Sequence, residues 1–165
     1  MTLAAVLPNH IQAHLVSLAD CPPVPFSAWP DARVPSAAAG VYTVWRGDQF
    51  IYAGMAGRGL DEAGIRVHTQ NGARKGLADR LNSHASGRRS GDQFCVYICD
   101  RLVLPTLMLD DIQLIGRGEL SLEAKVREFV RRELQFRFVV TRDGVEAAEG
   151  PGTGDASVQA NARSP

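Results

Sequence analysis

Residues 40–53 read GVYTVWRGDQFIYA, and this stretch predicts a β-hairpin. Gly40–Trp45 and Phe50–Ala53 are rich in β-branched and aromatic residues, which favour strands. The four residues between them are polar and contain Gly and Asp, a composition typical of a hairpin connection. The hairpin would place Tyr42 and Tyr52 on neighbouring strands.

A helix is predicted over Gly76–Ala85, and it would carry Arg80 and His84 on one face because they are four residues apart. Apolar spacing predicts further helices, and β-rich runs predict further strands. The predicted helices are Pro8–Asp20, Pro105–Ile115 and Leu120–Leu134, and the predicted strands are Phe94–Cys99 and Phe136–Val140. The fold class expected is therefore α+β, a small antiparallel sheet flanked by helices.

The chain divides into three segments. Residues 1–35 hold the first helix and a proline-rich lead-in, whose Phe26 and Trp29 should pack against the core. Residues 36–142 hold the predicted sheet and its helices. Residues 143–165 form the third segment, and from Gly150 onward their side chains are mostly small and polar. Such side chains bury too little apolar surface to offset the conformational entropy lost on folding, so a disordered tail is predicted.

Composition limits the possible functions. The 165 residues are 45% hydrophobic, enough for one domain with its own core. A formal net charge of zero excludes a generally basic protein that coats nucleic acid. No run approaches the roughly eighteen apolar residues that a membrane helix needs, and residues 1–18 lack the basic start of a signal peptide. We therefore expect a cytoplasmic protein with no membrane partner.

The order of these motifs resembles the GIY-YIG nuclease family. Gly40-Val41-Tyr42 matches the first family motif and Tyr52-Ala53-Gly54 the second, each with a conservative change in its middle residue. The helix that carries Arg80 and His84 follows at a fitting distance. The resemblance covers roughly residues 36–90 well, and it implies the family's compact α+β fold and a metal-dependent DNA endonuclease.

The chemistry agrees with that resemblance. Hydrolysis of a phosphodiester needs an activated water and a group that stabilises the charged phosphorane. The guanidinium of Arg80 can hold two phosphate oxygens, and His84 can relay a proton or orient the water. The resemblance implies that Tyr42 is the general base. It implies that Tyr52 is its partner or positions the substrate.

The surrounding segment is locally basic. Residues 66–89 contain six basic side chains and one acid, a net charge of +5. Arginine, asparagine and glutamine in this segment suit phosphates and base edges. We predict that Arg74, Lys75, Arg88 and Arg89 contact the DNA backbone, with the last two on a mobile loop over residues 86–91.

Two glutamate assignments are open for the metal ligand. The family takes a glutamate from a helix after the third strand and uses Mg²⁺ or Mn²⁺. If Phe94–Cys99 is that strand, the ligand is Glu123, which helical spacing places in the middle of an apolar stripe. If Phe136–Val140 is that strand, the ligand is Glu146 or Glu149, and Glu149 is the preferred counterpart. Gly150-Pro151-Gly152 then ends the helix earlier than in the family.

That early end leaves a second function open. The chain would be a catalytically impaired module that keeps the nuclease fold and still binds DNA. A third possibility is a small interaction domain in which the tyrosines only support the fold. Because the sequence contains no separate targeting domain, a partner protein or a homodimer would have to add specificity.

Overall fold

The computed structural model describes residues 9–148 of the chain, with side chains from residue 13 onward. The predicted N-terminal helix is present as α1, Asn9–Asp20. The part of the predicted tail that follows residue 148, including Glu149, lies outside the described residues. The described chain forms an α+β fold, a small antiparallel sheet flanked by helices, which confirms the predicted fold class.

The sheet is built around the hairpin. Its strands are β1 (Val24–Pro25), β2 (Ala37–Arg46), β3 (Gln49–Ala56), β4 (Lys75–Gly76) and β5 (Gln135–Thr141). The order is β1-β5-β2-β3, with antiparallel pairing throughout, and the two-residue β4 pairs with the start of β2 in parallel. Strand β2, which carries the first motif, is thus central and hydrogen-bonded on both sides.

Six more helices surround the sheet within the described chain. They are α2 (Glu62–Gln70), α3 (Leu77–Ser86), α4 (Gln93–Ile98), α5 (Leu109–Gly116), α6 (Leu122–Glu133) and α7 (Gly144–Ala148), with short 3₁₀ or π turns at Phe26–Ala28, Cys99–Val103 and Leu104–Thr106. The predicted helices near residues 76–85, 105–115 and 120–134 correspond to α3, α5 and α6. Helix α2 was not predicted, because its apolar residues Ala63, Ile65 and Val67 stand at every second position, the spacing of a strand.

The segment Phe94–Cys99 is helical, so the prediction of a strand there was wrong. Its β-rich composition is overridden by Asp92, whose side chain accepts a hydrogen bond from the backbone N–H of Phe94 and caps α4. Burial of Phe94, Cys95 and Ile98 then fixes the helix against the core. Strand β5 is therefore the third long strand of the sheet, as the second assignment of the metal ligand assumed.

The ends of the predicted central domain also differ from the structure. Val24 pairs with Phe136 through β1, and Phe26 and Trp29 are buried in the core, as predicted for the lead-in aromatics. Residues 144–148, predicted as tail, form helix α7. The carboxylate of Asp143 accepts from the N–H groups of Val145 and Glu146, which caps this short helix.

Candidate active site

Tyr42 and Tyr52 lie close together on the paired strands β2 and β3. Tyr42 stands opposite Gly54 in the register, Tyr52 stands opposite Val44, and the two rings are 6.3 Å apart between centroids. A Cβ at Gly54 would lie 2.5 Å from the hydroxyl oxygen of Tyr42. The glycine of the second motif is therefore a steric requirement, since any side chain there would displace the phenol.

The glycine of the first motif positions helix α3. A Cβ at Gly40 would lie 2.5 Å from Cδ1 of Leu77, so only glycine lets the first turn of α3 approach β2 this closely. Leu77 and Leu81 are fully buried against the sheet and α6. This packing turns His84, at the other end of α3, toward Tyr42.

A buried chain of hydrogen bonds links three elements. The hydroxyl of Tyr42 lies 2.7 Å from Nε2 of His84, and Nδ1 of His84 lies 2.7 Å from Oδ2 of Asp92. Each of these three residues exposes only 1% of its surface. The ring of Phe94 packs on His84 with centroids 4.2 Å apart. The structure thus brings Tyr42 and His84 together as predicted and adds Asp92.

Asp92 was missed by the sequence reasoning. The signal that points to it is local: an aspartate two residues before an apolar run, which is the position of a helix N-cap. Because residues 94–99 were interpreted as a strand, that signal was not used. Only the folded chain shows that the capping carboxylate also reaches the imidazole of His84.

The site shifts the pKa of both tyrosines upward. Burial raises the pKa of Tyr42 well above its ordinary value of 10, and the neighbouring Tyr52 adds to the rise. Burial also raises the pKa of Tyr52. The positive charge of Arg80 opposes the rise for both phenols, which places the guanidinium within electrostatic reach of each. Both hydroxyls therefore keep their protons at neutral pH.

His84 and Asp92 are shifted in directions that suit proton transfer. Burial lowers the pKa of His84 below 6.5, although the hydrogen bond with Asp92 counteracts part of this. Burial alone would raise the pKa of Asp92, but the hydrogen bond and charge of His84, together with hydrogen bonds from Ser83 and the backbone of Cys95, outweigh burial and the pKa falls below 3.8. At pH 7 the imidazole is therefore neutral and able to accept a proton, beside an ionised carboxylate.

A cavity of about 530 Å³ opens beside α3. Its walls combine glycines with polar side chains, namely Ala56, Gly57, Gly59, Leu60, His68, Lys75, Gly76, Asp79, Arg80, Ser83 and Gly91. Arg80 is exposed, and its side chain makes no hydrogen bond or ion pair with the rest of the described chain. Its guanidinium is thus free to bind an anion that enters the cavity.

The four predicted DNA contacts lie in different surroundings. Lys75 lines the cavity, and Arg88 is exposed on the turn after α3. Arg74 donates to the side-chain oxygen of Asn82 over 2.6 Å. Arg89 is half-buried, and its Nη1 points at the sulfur of Cys99, 3.9 Å away. Lys75 and Arg88 are therefore presented to a ligand, whereas Arg74 and Arg89 already have protein contacts.

The expectation that Glu123 lies in a buried apolar stripe was wrong. Glu123 is exposed, because it belongs to the first turn of α6 and the burial of that helix begins only at Val126. Its Oε1 is 3.4 Å from the backbone N of Arg89. Glu146 is turned away as well: its Oε2 accepts from the N–H of Arg142 over 2.7 Å, and its Oε1 faces His14.

Across residues 9–148, no group of three or more His, Cys, Asp or Glu side chains is arranged to hold a metal ion. Asp79 is the single carboxylate among the residues that line the cavity. Glu149, the preferred ligand of the second assignment, lies outside this range.

Comparisons with protein-family models, with curated proteins and with solved structures each found no match. Among the helices described, none is long and apolar enough to cross a membrane.

Proposed function

We propose that this protein is an endonuclease that hydrolyses the phosphodiester backbone of DNA. One observation carries the proposal: the hydroxyl of Tyr42 lies 2.7 Å from the neutral imidazole of His84, beside an exposed arginine whose charge acts on both tyrosines. This arrangement combines a proton acceptor with a cation suited to the charge that develops on phosphorus. The ordered motifs of the resembled nuclease family support the same chemistry.

The reaction follows from the pKa directions. Because Tyr42 is protonated at neutral pH, its hydroxyl must give up its proton as it takes one from the attacking water. His84 accepts the Tyr42 proton at Nε2 and becomes an imidazolium. The water oxygen forms the new bond to phosphorus as the bond to the leaving oxygen breaks on the opposite side. The leaving oxygen takes its proton from solvent, and the imidazolium returns its proton through Tyr42 to solvent.

Arg80 supplies the electrostatic part of the reaction. Its free guanidinium would bind two non-bridging oxygens of the scissile phosphate, a geometry that lysine cannot reproduce. Lys75, before α3, and Arg88, after it, would hold other phosphates of the backbone. Tyr52, half-buried and 6.3 Å from Tyr42 between ring centroids, would position the substrate above the buried chain.

The Mg²⁺ or Mn²⁺ dependence implied by the family resemblance is a separate question. The assay therefore includes Mg²⁺, Mn²⁺ and a chelator as three parallel conditions.

The test is nicking of supercoiled plasmid by the full-length protein. Arg80→Ala should lower the nicking rate about 100- to 1,000-fold, the usual loss when one group that stabilises the transition state is removed. Arg80→Lys should restore the charge but only part of the rate. The control is Arg101→Ala, which removes an exposed arginine that does not line the cavity. Equal nicking by the wild type and Arg80→Ala would refute the assignment.

A second candidate is a DNA-binding module without turnover. The observation that favours it is the burial of Tyr42 and His84, each 1% exposed, because a general base must be reached by the attacking water. Such a module would retain plasmid in a salt-dependent way, weakened by Arg80→Ala, and would not nick it under any of the three conditions.

A further inference from the structure

The two carboxylate oxygens of Asp92 have different partners. Oδ1 accepts from the backbone N–H of Phe94 over 3.0 Å, and Oδ2 lies 2.7 Å from Nδ1 of His84. An ionised carboxylate can only accept hydrogen bonds, so Nδ1 of His84 must carry the hydrogen. Nε2 is then the unprotonated nitrogen, and it faces the hydroxyl of Tyr42.

We propose that Asp92 is a positioning residue that fixes His84 in its Nδ1–H tautomer and so directs the hydroxyl proton of Tyr42 onto Nε2. The proposal rests on the proposed function, because it assigns the partner that makes His84 a proton acceptor in that reaction. Once His84 is doubly protonated, one N–H donates to the Tyr42 oxygen and the other to Asp92. The carboxylate thus holds the ring in place and stabilises the charge that forms on it.

Of the groups that face His84, Asp92 is the one that contacts Nδ1. The titratable and charged groups that face His84 are Tyr42 from β2, Tyr52 from β3, Arg80 from its own helix, and Asp92 and Cys95 at the start of α4. Of these, Arg80 disfavours a positive charge on the imidazole, and the two phenols are protonated. The sulfur of Cys95 lies 3.5 Å from the His84 carbonyl oxygen and 3.7 Å from Asp92 Oδ2, and its one S–H can donate to either oxygen, so it does not compete for Nδ1.

The decisive variant is Asp92→Asn. An asparagine can keep its oxygen on the N–H of Phe94, so the cap of α4 is retained, while its NH₂ group is turned toward Nδ1 of His84. An NH₂ group can only donate, and the imidazole must then carry its hydrogen on Nε2. Nitrogen NMR of labelled full-length protein should show the Nδ1–H tautomer in the wild type and the Nε2–H tautomer in Asp92→Asn.

A matched control is Asp61→Asn. Asp61 caps α2 by accepting from the N–H of Gly64 over 2.7 Å, and it has no contact with His84. This variant removes the same charge from the same kind of position, and it should leave the tautomer of His84 unchanged. An Nε2–H tautomer in the wild type, or the same tautomer in the wild type and Asp92→Asn, would overturn the proposal.

Plasmid nicking gives the second readout. Asp92→Asn should lower the maximal nicking rate by about 100-fold or more, the usual worth of general acid–base catalysis. Because Asp92 raises the pKa of His84, its loss should also move the acid limb of the pH–rate profile to lower pH, a change that a purely structural defect would not cause. Asp61→Asn should keep both the rate and the profile, and nicking by Asp92→Asn at the wild-type rate would contradict the proposal.

Two further results separate the proposals from each other. Asp92→Ser keeps a residue that caps helices well but removes the carboxylate, so it should remain folded by circular dichroism and nick as slowly as Asp92→Asn. A fully active Asp92→Ser would also overturn the positioning role. If the wild type nicks under no condition, the proposed function fails, and the tautomer measurement alone then decides the role of Asp92.

Discussion

Two histidines are buried in the described part of the chain, and their surroundings differ. His84 on α3 is 1% exposed, and both of its ring nitrogens have hydrogen-bond partners. His14 on α1 is 8% exposed, but its Nε2 has no hydrogen-bond partner and lies 3.7 Å from the nearest carboxylate oxygen, that of Glu146. Burial alone therefore does not indicate function. What distinguishes His84 is that both nitrogens are engaged by groups able to give and accept protons.

Replacing the two histidines should give the largest contrast. His84→Gln leaves Tyr42 without its proton acceptor and a buried carboxylate with only part of its hydrogen bonds. We expect a loss of nicking of at least about 100-fold and of about 3 kcal/mol in the free energy of unfolding. His14→Gln should nick like the wild type.

Initial nicking rates and urea denaturation of both variants check this contrast. Comparable losses in the two variants would mean that histidine burial, and not the partners of His84, maintains the site.

The pH dependence of the free energy of unfolding should also depend on His84, with a smaller effect. The folded chain disfavours protonated His84, whose pKa lies below the 6.5 expected when unfolded, so the unfolded state binds more protons as the pH falls below 6.5. The free energy of unfolding should therefore decrease from pH 6.5 downward, by at most about 1.4 kcal/mol per pH unit. Asp92, whose pKa is lowered from 3.8, adds its own loss only in more acidic solution.

Urea midpoints at pH 7, 6 and 5 test this for the wild type and His84→Gln. The variant should lose less stability over that interval because it lacks the group that takes up the proton. Parallel curves for the two proteins would contradict the assignment of this pH dependence to His84.

The smallest effect is expected at His14. Because Nε2 is buried without a hydrogen-bond partner, His14→Leu removes an unsatisfied polar group and keeps apolar contacts. The free energy of unfolding should stay within about 1 kcal/mol of the wild-type value or increase. Thermal and urea unfolding would measure the change, and a loss above 2 kcal/mol would show that His14 has a stabilising partner after all.

The hairpin and the position of Arg80 and His84 could be predicted because they depend on local pattern. Alternating β-branched and aromatic residues flank a polar turn, and a four-residue spacing puts two side chains on one helix face. These features involve residues close in sequence, where periodicity and turn composition are informative.

The rest of the site depends on contacts that local pattern does not contain. Phe94–Cys99 has strand composition, yet one capping carboxylate and the burial of three side chains make it a helix. Glu123 does lie on a helix, as predicted. Helical spacing gives the face of a helix but not the turn at which its packing against neighbouring elements begins, so the exposure of Glu123 could not be predicted. The partnership of Asp92 with His84 joins the ends of two helices across a turn, and only packing determines that approach.

Asp92 holds the first turn of α4 with one oxygen and His84 with the other, and this has a consequence for local motion. Opening of that turn weakens the hold on the imidazole, because the same carboxylate makes both hydrogen bonds. Fraying at the start of a short helix ordinarily affects that helix alone, but here it reaches the buried hydrogen bonds of His84. The local stability of this helix end therefore contributes to how firmly His84 is held against Tyr42.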